Sequence, residues 1–413
     1  MRTASELSSR SERDEMTETI LVLNAGSSSI KFQLFAVESD EILVCRMRGQ
    51  VEGIGTHPHM IVKDRAAQVF VDESWASTTA VDLPSAIERV LAWLAMQLNG
   101  ALPSVIGHRV AHGGPNYYEP TIVDDAVLEE LDLLVPLVPL HQPSNLEPIK
   151  TIRRRRPELL QVACFDTGFH HGHAEVAQRF AIPDEFYREG VRRYGFHGLS
   201  YEYIANTLPR VAPDISDGRV VIGHLGSGAS MCAIMAGRSV DSTMSFTALD
   251  GLPMGTRTGQ IDPGVLLYLL NKKDWDASRL EQFLYQECGL KGLSGVSNDM
   301  RDLVSSDASL ARLAIEYFVY RAVREAGALV SVLGGLDGIV FTAGIGENAA
   351  SIRSQICQGL AWLGLEVDEP ANERHDLCIS TKESRVSAWV IPTNEELMIA
   401  RHANKIRRTV KSS

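Results

Sequence analysis

Short apolar runs alternate along the chain with longer stretches of helical periodicity. The runs "ILVLN" at 20–24 and "KFQLFAV" at 31–37 have strand length. The stretch "PSAIERVLAWLAMQL" at 84–98 instead places Ile87, Val90, Leu91, Leu94 and Leu98 on one helical face. Alternation of these two patterns is typical of an α/β protein.

Further strands are predicted at "SVIGHRVAH", "LLQVACFD", "RVVIGHLG", "GIVFTAG" and "SAWVIP". Several of them end in residues with functional side chains. Because ligands of open α/β sheets gather beyond the carboxyl ends of the strands, this arrangement predicts a binding cleft.

Composition narrows the class of protein. A length of 413 residues predicts about two or three domains, and the net charge of -12 opposes general attraction to nucleic acid or to an anionic membrane. An anionic substrate would therefore require a local basic pocket. The six cysteines contain no CxxC pair and are expected to be reduced thiols. Since no apolar run is long enough to span a bilayer and residues 1–18 are polar rather than signal-like, we expect a cytoplasmic protein with a disordered N-terminal extension.

Two glycine-serine turns resemble each other. "LVLNAGSSSI" and "VIGHLGSGAS" both place an apolar run before the turn, with Gly26-Ser27 matched to Gly226-Ser227. Backbone N–H groups, serine hydroxyls and the nearby Lys31 are suitable contacts for a phosphate. A solvated hairpin has the same composition, and chance produces such an echo, so the turns alone leave both interpretations open.

Isolated charged residues at predicted strand ends suggest an anion site. Arg109 and His112 lie in "GHRVAHGG" on a predicted strand, and a buried strand rarely carries arginine without a partner. Asp166 follows "LLQVA", where capping of a turn is the commoner role. Arg257 lies in the glycine-rich "DGLPMGTRTGQIDPG", whose small residues permit close approach of a phosphate.

The remaining polar motifs mix functional and structural interpretations. His197 precedes Ser200, which is predicted to cap a helix, and the turn "GIGEN" leads from strand to helix as a nucleotide-binding turn does. Thr393 and Glu396 form a predicted capping box that leaves Glu395 to face the cleft. "FHHGH" lacks the spacing of a zinc site, and "RRRR" at 153–156 is expected to be a solvated helix face.

Eight segments in order, from about Leu21 to Ile399, closely resemble the acetate kinase family. They are "LNAGSSSIKFQLF", "GHRVAHGG", "FDTGFH", "YGFHGLSY", "HLGSGAS", "DSTMSFTALDGLPMGTRTGQIDPG", "GIGENA" and "TNEEL". The resemblance implies two actin-like (ribonuclease H-like) α/β domains with a central nucleotide and substrate cleft. We therefore expect the extension at 1–18, an N-terminal domain at 19–164 joined by a C-terminal helix at 397–413, and a nucleotide-binding and dimerisation domain at 165–396.

The resemblance also implies an activity: reversible, magnesium-dependent phosphoryl transfer between ATP and acetate, giving ADP and acetyl phosphate, in a homodimer. Manganese is an expected substitute for magnesium. Carried over residue by residue, the catalytic positions are Arg109, Asp166, His197 and Arg257, and the metal positions are Asn24 and Glu395. The acyl pocket would be lined by Arg109, Ala111, His141, Phe196 and Ala248. The phosphate and nucleotide positions are Ser27, Ser29, Lys31, His224, Leu225, Gly226, Ser227, Gly228, Asp299, Met300, Arg301, Gly344, Ile345, Gly346, Glu347 and Asn348.

The chain departs from the usual family pattern at Ser227, where an asparagine is common, and at Ala111 and Ala248, where larger residues are common. The smaller side chains predict better acceptance of propionate, as a preference worth about 1–3 kcal/mol. Two other classes remain as alternatives. A non-enzymatic actin-like nucleotide-gated protein would need the two turns but not Arg109, His197 and Arg257, and a dehydrogenase would need a GxGxxG motif that the first strand lacks.

Overall fold

The computed structural model describes residues 18–26, 28–40, 42–75 and 81–412. Ser27 and nearly all of the extension predicted at 1–18 lie outside these residues. The described chain divides into two compact units. The first unit contains the residues up to Gly168 together with those from Glu395 onward, and the second contains Phe169–Asn394. No helix among the described residues is long and apolar enough to cross a membrane.

The strands follow one another along the chain in two groups. The first group is β1 (Thr19–Ala25), β2 (Ser29–Val37), β3 (Leu43–Glu52), β4 (His59–Asp64), β5 (Val69–Ser74), β6 (Val105–Val110), β7 (Thr121–Ile122) and β8 (Gln161–Phe165). The second group is β9 (Arg219–Leu225), β10 (Ala229–Met235), β11 (Arg238–Ser242), β12 (Gly338–Thr342) and β13 (Ser387–Val390).

Helices separate and cover these strands. The first are α1 (Leu83–Gln97), α2 (Asp125–Asp132), α3 (Gln142–Arg155), α4 (Glu175–Gln178), α5 (Asp184–Arg188), α6 (Gly198–Val211), α7 (Pro213–Ser216) and α8 (Pro263–Lys272). The others are α9 (Ala277–Gln286), α10 (Gly289–Ser294), α11 (Met300–Val304), α12 (Ser309–Leu333), α13 (Ala343–Asn348), α14 (Ala350–Gly359), α15 (Glu369–Glu373) and α16 (Glu395–Ser412). The α/β prediction is confirmed.

The first unit contains a sheet in the order β5-β4-β3-β2-β1-β6-β8-β7. Strands β1 and β2 form an antiparallel hairpin, while β1, β6 and β8 run parallel to one another. Residues 20–23 of β1 are all buried, as expected for a strand covered on both faces. The parallel strands therefore bring the residues after β1, β6 and β8 to one edge of the sheet.

Two helices cover this sheet for reasons visible in the sequence. Helix α1 buries Ala86, Ile87, Val90 and Leu94, so its predicted apolar face is confirmed. Its N-terminus is capped by Asp82, whose side chain accepts a hydrogen bond from the backbone of residue 85. Helix α16 packs against β1 and β6, where a Cβ on Gly107 would lie 2.5 Å from Cγ2 of Ile399. Glycine at 107 permits this close packing, which holds the start of α16 near the strand ends.

The second unit contains a smaller sheet in the order β11-β10-β9-β12-β13. Strands β9 and β10 form an antiparallel hairpin, and β12 runs parallel to both β9 and β13. The long helix α12 packs against β10 and buries Phe318, Ala322 and Ala326. The arrangement repeats the β3-β2-β1-β6-β8 part of the first sheet, so the weak sequence echo between the two turns corresponds to a repeated hairpin followed by parallel strands.

The unit boundaries lie a few residues from the predicted domain boundaries. The residues after β8 remain with the first unit because Asp166 N donates to Val110 O at 3.0 Å and Gly113 N donates to Thr167 Oγ1 at 3.2 Å. Helix α16 begins at Glu395, which places Glu395 in the first unit as well. Asp166 and Glu395, which the predicted boundaries assigned to the C-terminal domain, thus belong to the same unit as Arg109.

Candidate active site

Arg109 lies between two carboxylates at the strand-end edge of the first unit. It sits near the end of β6, Asp166 follows β8 directly, and Glu395 is the first residue of α16. A guanidinium nitrogen of Arg109 donates to Asp166 Oδ2, and Nε lies 3.8 Å from Glu395 Oε2. The side chains of Arg109, Asp166 and Glu395 are 21%, 2% and 18% exposed. Arg109 thus has carboxylate partners within the protein, while its predicted contact with a bound anion stays a prediction.

Burial raises the pKa of both carboxyl groups. Loss of solvation raises the pKa of Asp166, although the charge of Arg109 and its hydrogen bond act in the opposite direction. Burial also raises the pKa of Glu395 to about 7, with Arg109 and Lys31 lowering it and neighbouring acids raising it. Asp166 Oδ1 is buried and has no hydrogen-bond partner. One arginine thus faces two carboxyl groups, and an acceptor atom is left for a further cation or donor.

The β1–β2 hairpin holds the first predicted phosphate turn. Gly26 N donates to Ser29 O at 2.8 Å, and Asn24 pairs with Lys31 across the hairpin. The carbonyl of Ser28 accepts from the backbone of Ile54 at 3.1 Å, which is a structural contact. The exposed Lys31 is close enough to Glu395 to lower its pKa. The predicted phosphate and metal residues Asn24, Ser29 and Lys31 therefore lie on the hairpin, whereas Ser27 is outside the described residues.

Two carboxamides on α3 tie the strand ends together, and no sequence motif pointed to either of them. Asn145 Nδ2 donates to Ala25 O at 2.7 Å, and its Oδ1 accepts from Ala111 N at 2.9 Å. Gln142 Nε2 donates to His112 O at 2.9 Å, while its Oε1 accepts from His112 N at 3.1 Å. A signal was present, because Gln142 and Asn145 interrupt the apolar face that Leu146, Ile149 and Ile152 continue.

Besides Arg109, two acyl-pocket positions lie in this unit, and they have different surroundings. Ala111 is 2% exposed, and its backbone is fixed by Asn145. His141 is half-buried and precedes α3, where its carbonyl accepts from Ser144 Oγ at 2.9 Å. His112 follows β6 rather than lying on it, and its Nδ1 accepts from Gly114 N at 2.8 Å.

His197 is positioned by an unusual backbone in the second unit. It precedes α6 with φ 58°, in the left-handed region, and its Nδ1 lies 2.8 Å from Ser230 Oγ. Its ring stacks on His224 with centroids 4.2 Å apart. The prediction that Ser200 caps the helix is wrong, because α6 begins at Gly198 and Ser200 Oγ instead bonds His224 Nδ1 at 2.8 Å. Phe196 is buried and its carbonyl binds His170 Nε2 at 2.9 Å.

Arg257 lies in a loop that is attached to the second glycine-serine turn. Gly255 N donates to Ser227 O at 3.0 Å, so the turn is held through its backbone whatever side chain residue 227 carries. Arg257 Nη1 donates to Ala248 O at 2.8 Å, and the Ala248 side chain is buried. A Cβ on Gly228 would lie 2.8 Å from Arg257 Nη2 and 3.3 Å from His197 Nε2. The structure thus brings Arg257 and His197 to the same glycine.

A cavity of about 1050 Å³ opens beside this turn. Eight predicted nucleotide residues line it: Gly226, Ser227, Asp299, Met300, Arg301, Gly344, Ile345 and Asn348. His375 and Asn298 line it too, although the sequence analysis did not select them. The predicted residues His224, Leu225, Gly228, Gly346 and Glu347 are not among its lining residues. Asp299 caps α11, and it also pairs with Arg301 at 2.6 Å. Its pKa is lowered to about 2, mainly by the hydrogen bond from the Arg301 side chain.

Glu347 and Gly346 hold the turn together in this structure. Glu347 Oε1 accepts from Ala343 N at 2.9 Å and from Thr393 N at 3.2 Å. The carbonyls of both residues accept from the fully buried Arg353 at 2.9 Å. The predicted capping box is wrong, because α16 starts at Glu395 and so Asn394, not Thr393, is the residue that precedes it. Glu395 Oε2 lies 3.8 Å from Arg109 Nε, and its predicted place facing the cleft stays a prediction.

The two motifs interpreted as structural have structural partners. His170 and His173 both bond Ser239 Oγ, at 2.8 and 2.6 Å, and burial lowers their pKa values to about 4 and about 3. The arginines at 153–155 end α3 and pair with surface acids, as expected for a solvated helix face.

Comparisons with known proteins identify the family of the chain. Residues 19–401 match the profile of the Acetokinase family. The chain is 54% identical to an acetate kinase of Nitrobacter hamburgensis, over 93% of this chain and 95% of that protein. It is 50% identical to an acetate kinase of Rhizobium meliloti, over 93% of this chain and 97% of that protein.

Solved structures give the same result for the fold. A propionate kinase from Francisella tularensis superposes with a TM-score of 0.87 at 34% identity, covering 94% of this chain and 99% of that one. Acetate kinase from Porphyromonas gingivalis superposes with a TM-score of 0.82 at 32% identity, with the same coverage. The predicted fold class is confirmed by these likenesses.

Proposed function

Because the chain belongs to the acetokinase family, we propose that it transfers the γ-phosphoryl group of ATP reversibly to the carboxylate of acetate, giving ADP and acetyl phosphate. Family membership supports a kinase acting on acetate. The observation that carries the proposal for this chain is the buried contact of Arg109 with Asp166 and Glu395 at one sheet edge.

The donor set fits a magnesium ion. Asp166 Oδ1 is buried without a hydrogen-bond partner, and a second carboxylate lies on the other side of Arg109. Oxygen ligands of this kind suit magnesium, which usually keeps several waters and phosphate oxygens beside one or two carboxylates. We propose that Glu395, Asp166 and the Asn24 side chain hold the ion. Bound there, it would neutralise charge on the phosphate oxygens, and manganese would replace it.

The side chains of the chain itself bind and orient the reactants. Arg109 supplies guanidinium donors that suit a carboxylate, and Arg257 is proposed to bind the phosphoryl group in transit. His197 is proposed to donate a hydrogen bond to the same group. The turn at 226–228 and the cavity beside it are proposed to hold the nucleotide. Such positioning and charge neutralisation account for phosphoryl transfer without a protein nucleophile, so we propose direct in-line transfer.

A hydroxamate assay tests the activity directly. Purified protein with ATP, magnesium and acetate should form acyl phosphate, which hydroxylamine traps as a coloured hydroxamate. The Arg109→Ala variant serves as the negative partner and Arg155→Ala, whose surface pair with Glu88 is exposed, as the matched control. Absence of hydroxamate with acetate, propionate and butyrate would exclude the proposed activity. Isolation of a phosphorylated protein that turns over at the catalytic rate would exclude direct transfer.

Propionate is the second candidate substrate. Ala111 and Ala248 are 2% and 5% exposed, so each buried position carries a methyl group where the family often has a larger side chain. Steady-state kinetics in both directions with acetate, propionate and butyrate would rank the substrates. A propionate specificity constant above that for acetate would establish the preference.

A homodimer is proposed from exposed apolar side chains in the second unit. Helix α8 has no buried residues, and its Val265, Leu267 and Tyr268 are 42%, 60% and 55% exposed. On α12, Leu310 and Tyr320 are 51% and 65% exposed. Exposed apolar patches of this kind mark association surfaces. Light scattering should give twice the mass of the chain, and Leu267→Glu with Tyr320→Glu should give a monomer.

A further inference from the structure

The imidazole of His197 is connected to a short chain of buried hydroxyl groups. Ser230 Oγ lies 2.8 Å from His197 Nδ1 and also within hydrogen-bond distance of Tyr201 OH. Ser230 and Tyr201 are both completely buried. Tyr201 is one helical turn after His197 on α6, and Ser230 is on β10. A helix and a strand therefore fix the three polar groups in place.

The number of protons on these three groups favours one arrangement of their hydrogen bonds. Ser230 has one hydroxyl proton and two polar neighbours, so it donates to either His197 or Tyr201. Burial raises the pKa of Tyr201 well above its ordinary value, so the phenol keeps its proton. Among the described contacts the phenol is hydrogen-bonded to Ser230 Oγ, which is therefore the acceptor for that proton.

The opposite arrangement of the hydrogen bonds is less stable. If Ser230 donated to Tyr201, the buried phenolic proton would lose its acceptor, and a buried donor without an acceptor is destabilising. In the favoured arrangement, therefore, Tyr201 OH donates to Ser230 Oγ and Ser230 Oγ donates to His197 Nδ1. In that order Nδ1 of His197 accepts, and the neutral ring carries its proton on Nε2.

Resting on the proposed function, we propose that Tyr201 and Ser230 are positioning residues that hold His197 as the Nε2–H tautomer, a fixed donor to the transferring phosphoryl group. Nε2 is the ring nitrogen closest to the Cβ position of Gly228, which Arg257 Nη2 also approaches. A neutral donor fixed in advance stabilises developing negative charge without reorganisation. No bond to the imidazole forms or breaks in this role.

The stacked neighbour of His197 has the opposite pattern. Ser200 Oγ donates to Thr393 Oγ1 at 2.9 Å, so its only proton is committed there. His224 Nδ1, 2.8 Å from Ser200 Oγ, must then be the donor in their hydrogen bond. The two parallel rings, 19° apart in plane, are thus assigned different tautomers. His224 consequently serves as an internal reference for His197.

Nitrogen chemical shifts test the assignment without any assay of activity. In protein labelled with ¹⁵N-histidine, long-range proton–nitrogen spectra distinguish a protonated from an unprotonated ring nitrogen, and His197→Gln and His224→Gln identify the signals. We expect the proton of His197 on Nε2 and that of His224 on Nδ1 in the full-length protein. A proton on Nδ1 of His197 overturns the proposal.

Kinetics then separate positioning from general packing. In Tyr201→Phe nothing donates to Ser230 Oγ any longer, so Ser230 can either donate to or accept from His197 Nδ1. We therefore expect a mixture of the two His197 tautomers. The kcat should be about tenfold lower, with KM for ATP and acetate little changed. Ser230→Ala should lower kcat further, and Ser230→Thr should restore it. Tyr203→Phe, on the same helix but outside the chain, is the matched control and should leave kcat unchanged.

The outcomes distinguish the two proposals. Wild-type kcat in Tyr201→Phe, or a fall equal to that in Tyr203→Phe, contradicts the positioning role. If the wild-type protein forms no acyl hydroxamate, the proposed function fails, while the nitrogen shifts still decide the tautomer.

Discussion

The hairpin β1–β2 of the first unit and the hairpin β9–β10 of the second occupy the same place in their sheets. Each is followed by two parallel strands, β6 and β8 in one unit and β12 and β13 in the other. The first pair carries Arg109 near one strand end and Asp166 just beyond the other. In the second unit β12 leads directly into the glycine-containing α13.

The two units share a topology but differ in the polar groups at their strand ends. In the first unit the strand ends hold buried charges that need one another or a metal ion. In the second they present backbone and small side chains beside a cavity, whose charged lining residues Asp299 and Arg301 come from the start of α11 rather than from a strand end. One topology thus carries two different sets of polar groups, and the proposed chemistry depends on a few residues at or near the strand ends.

Removing Arg109, the cation between Asp166 and Glu395 in the first unit, should lower the activity most. Arg109→Ala would leave Asp166 and Glu395 buried without their cation and remove a donor for the carboxylate. We expect kcat for acyl phosphate formation to fall by about a thousandfold or more. The hydroxamate assay measures it, with Arg155→Ala as the surface control and circular dichroism as the check on folding. Activity within tenfold of wild type would mean that this contact is structural.

Adding one methyl group to each turn compares the hairpins directly. A Cβ at Gly228 would lie 2.8 Å from Arg257 Nη2, whereas a Cβ at Gly26 would meet Ser29 Oγ at an ordinary 3.4 Å. Gly228→Ala should displace Arg257 and lower kcat about a hundredfold, because small misplacements are costly in transfer reactions. Gly26→Ala should change kcat only slightly. Gly327→Ala on α12, where nothing lies within 4 Å, is the control. Equal losses in the two turn variants would refute the proposed difference.

The acyl pocket offers a smaller test. Ala111→Val adds volume at a buried position of the first unit, so the specificity ratio of propionate to acetate should fall by about tenfold, within the 1–3 kcal/mol that a methylene is worth. Competition assays with both acids measure the ratio. Ala163→Val, buried in β8 away from the strand end, controls for packing. An unchanged ratio in Ala111→Val would exclude this residue as a specificity determinant.

Periodicity and strand ends were readable from the sequence, whereas long-range partners were not. The apolar face of α1 and the position of Asp166 after β8 follow from local patterns. Local spacing predicts Ser200 and Thr393 as helix caps, but Ser200 Oγ instead bonds the imidazole of His224 and donates to Thr393 Oγ1, a contact between residues far apart in sequence. The contact of Glu395 with Arg109 joins residues far apart in sequence, which no local pattern specifies. The roles of the nucleotide residues remain predictions.

Buried histidines should make the two units respond differently to acid. His108 in the first unit bonds Gln161 at 2.9 Å, and burial lowers its pKa from 6.5 to about 3. Below about pH 6.5 the unfolded chain binds a proton on this histidine, whereas in the folded chain the imidazole stays neutral. Each such histidine therefore destabilises the fold by about 1.4 kcal/mol per pH unit below that pH, and contributes no slope above it. Among the histidines whose pKa is described, two more with lowered values, His170 and His173, lie in the second unit.

Urea unfolding at pH 7, 6 and 5 measures this slope. His108→Gln should reduce the loss of unfolding free energy between pH 6 and 5 by about 1.4 kcal/mol, because glutamine does not titrate. His57→Gln, at an exposed site of the same unit, is the matched control and should retain the wild-type slope. His170 and His173 of the second unit should together contribute about twice the slope that His108 contributes. A wild-type slope in His108→Gln would show that His108 takes up its proton without unfolding.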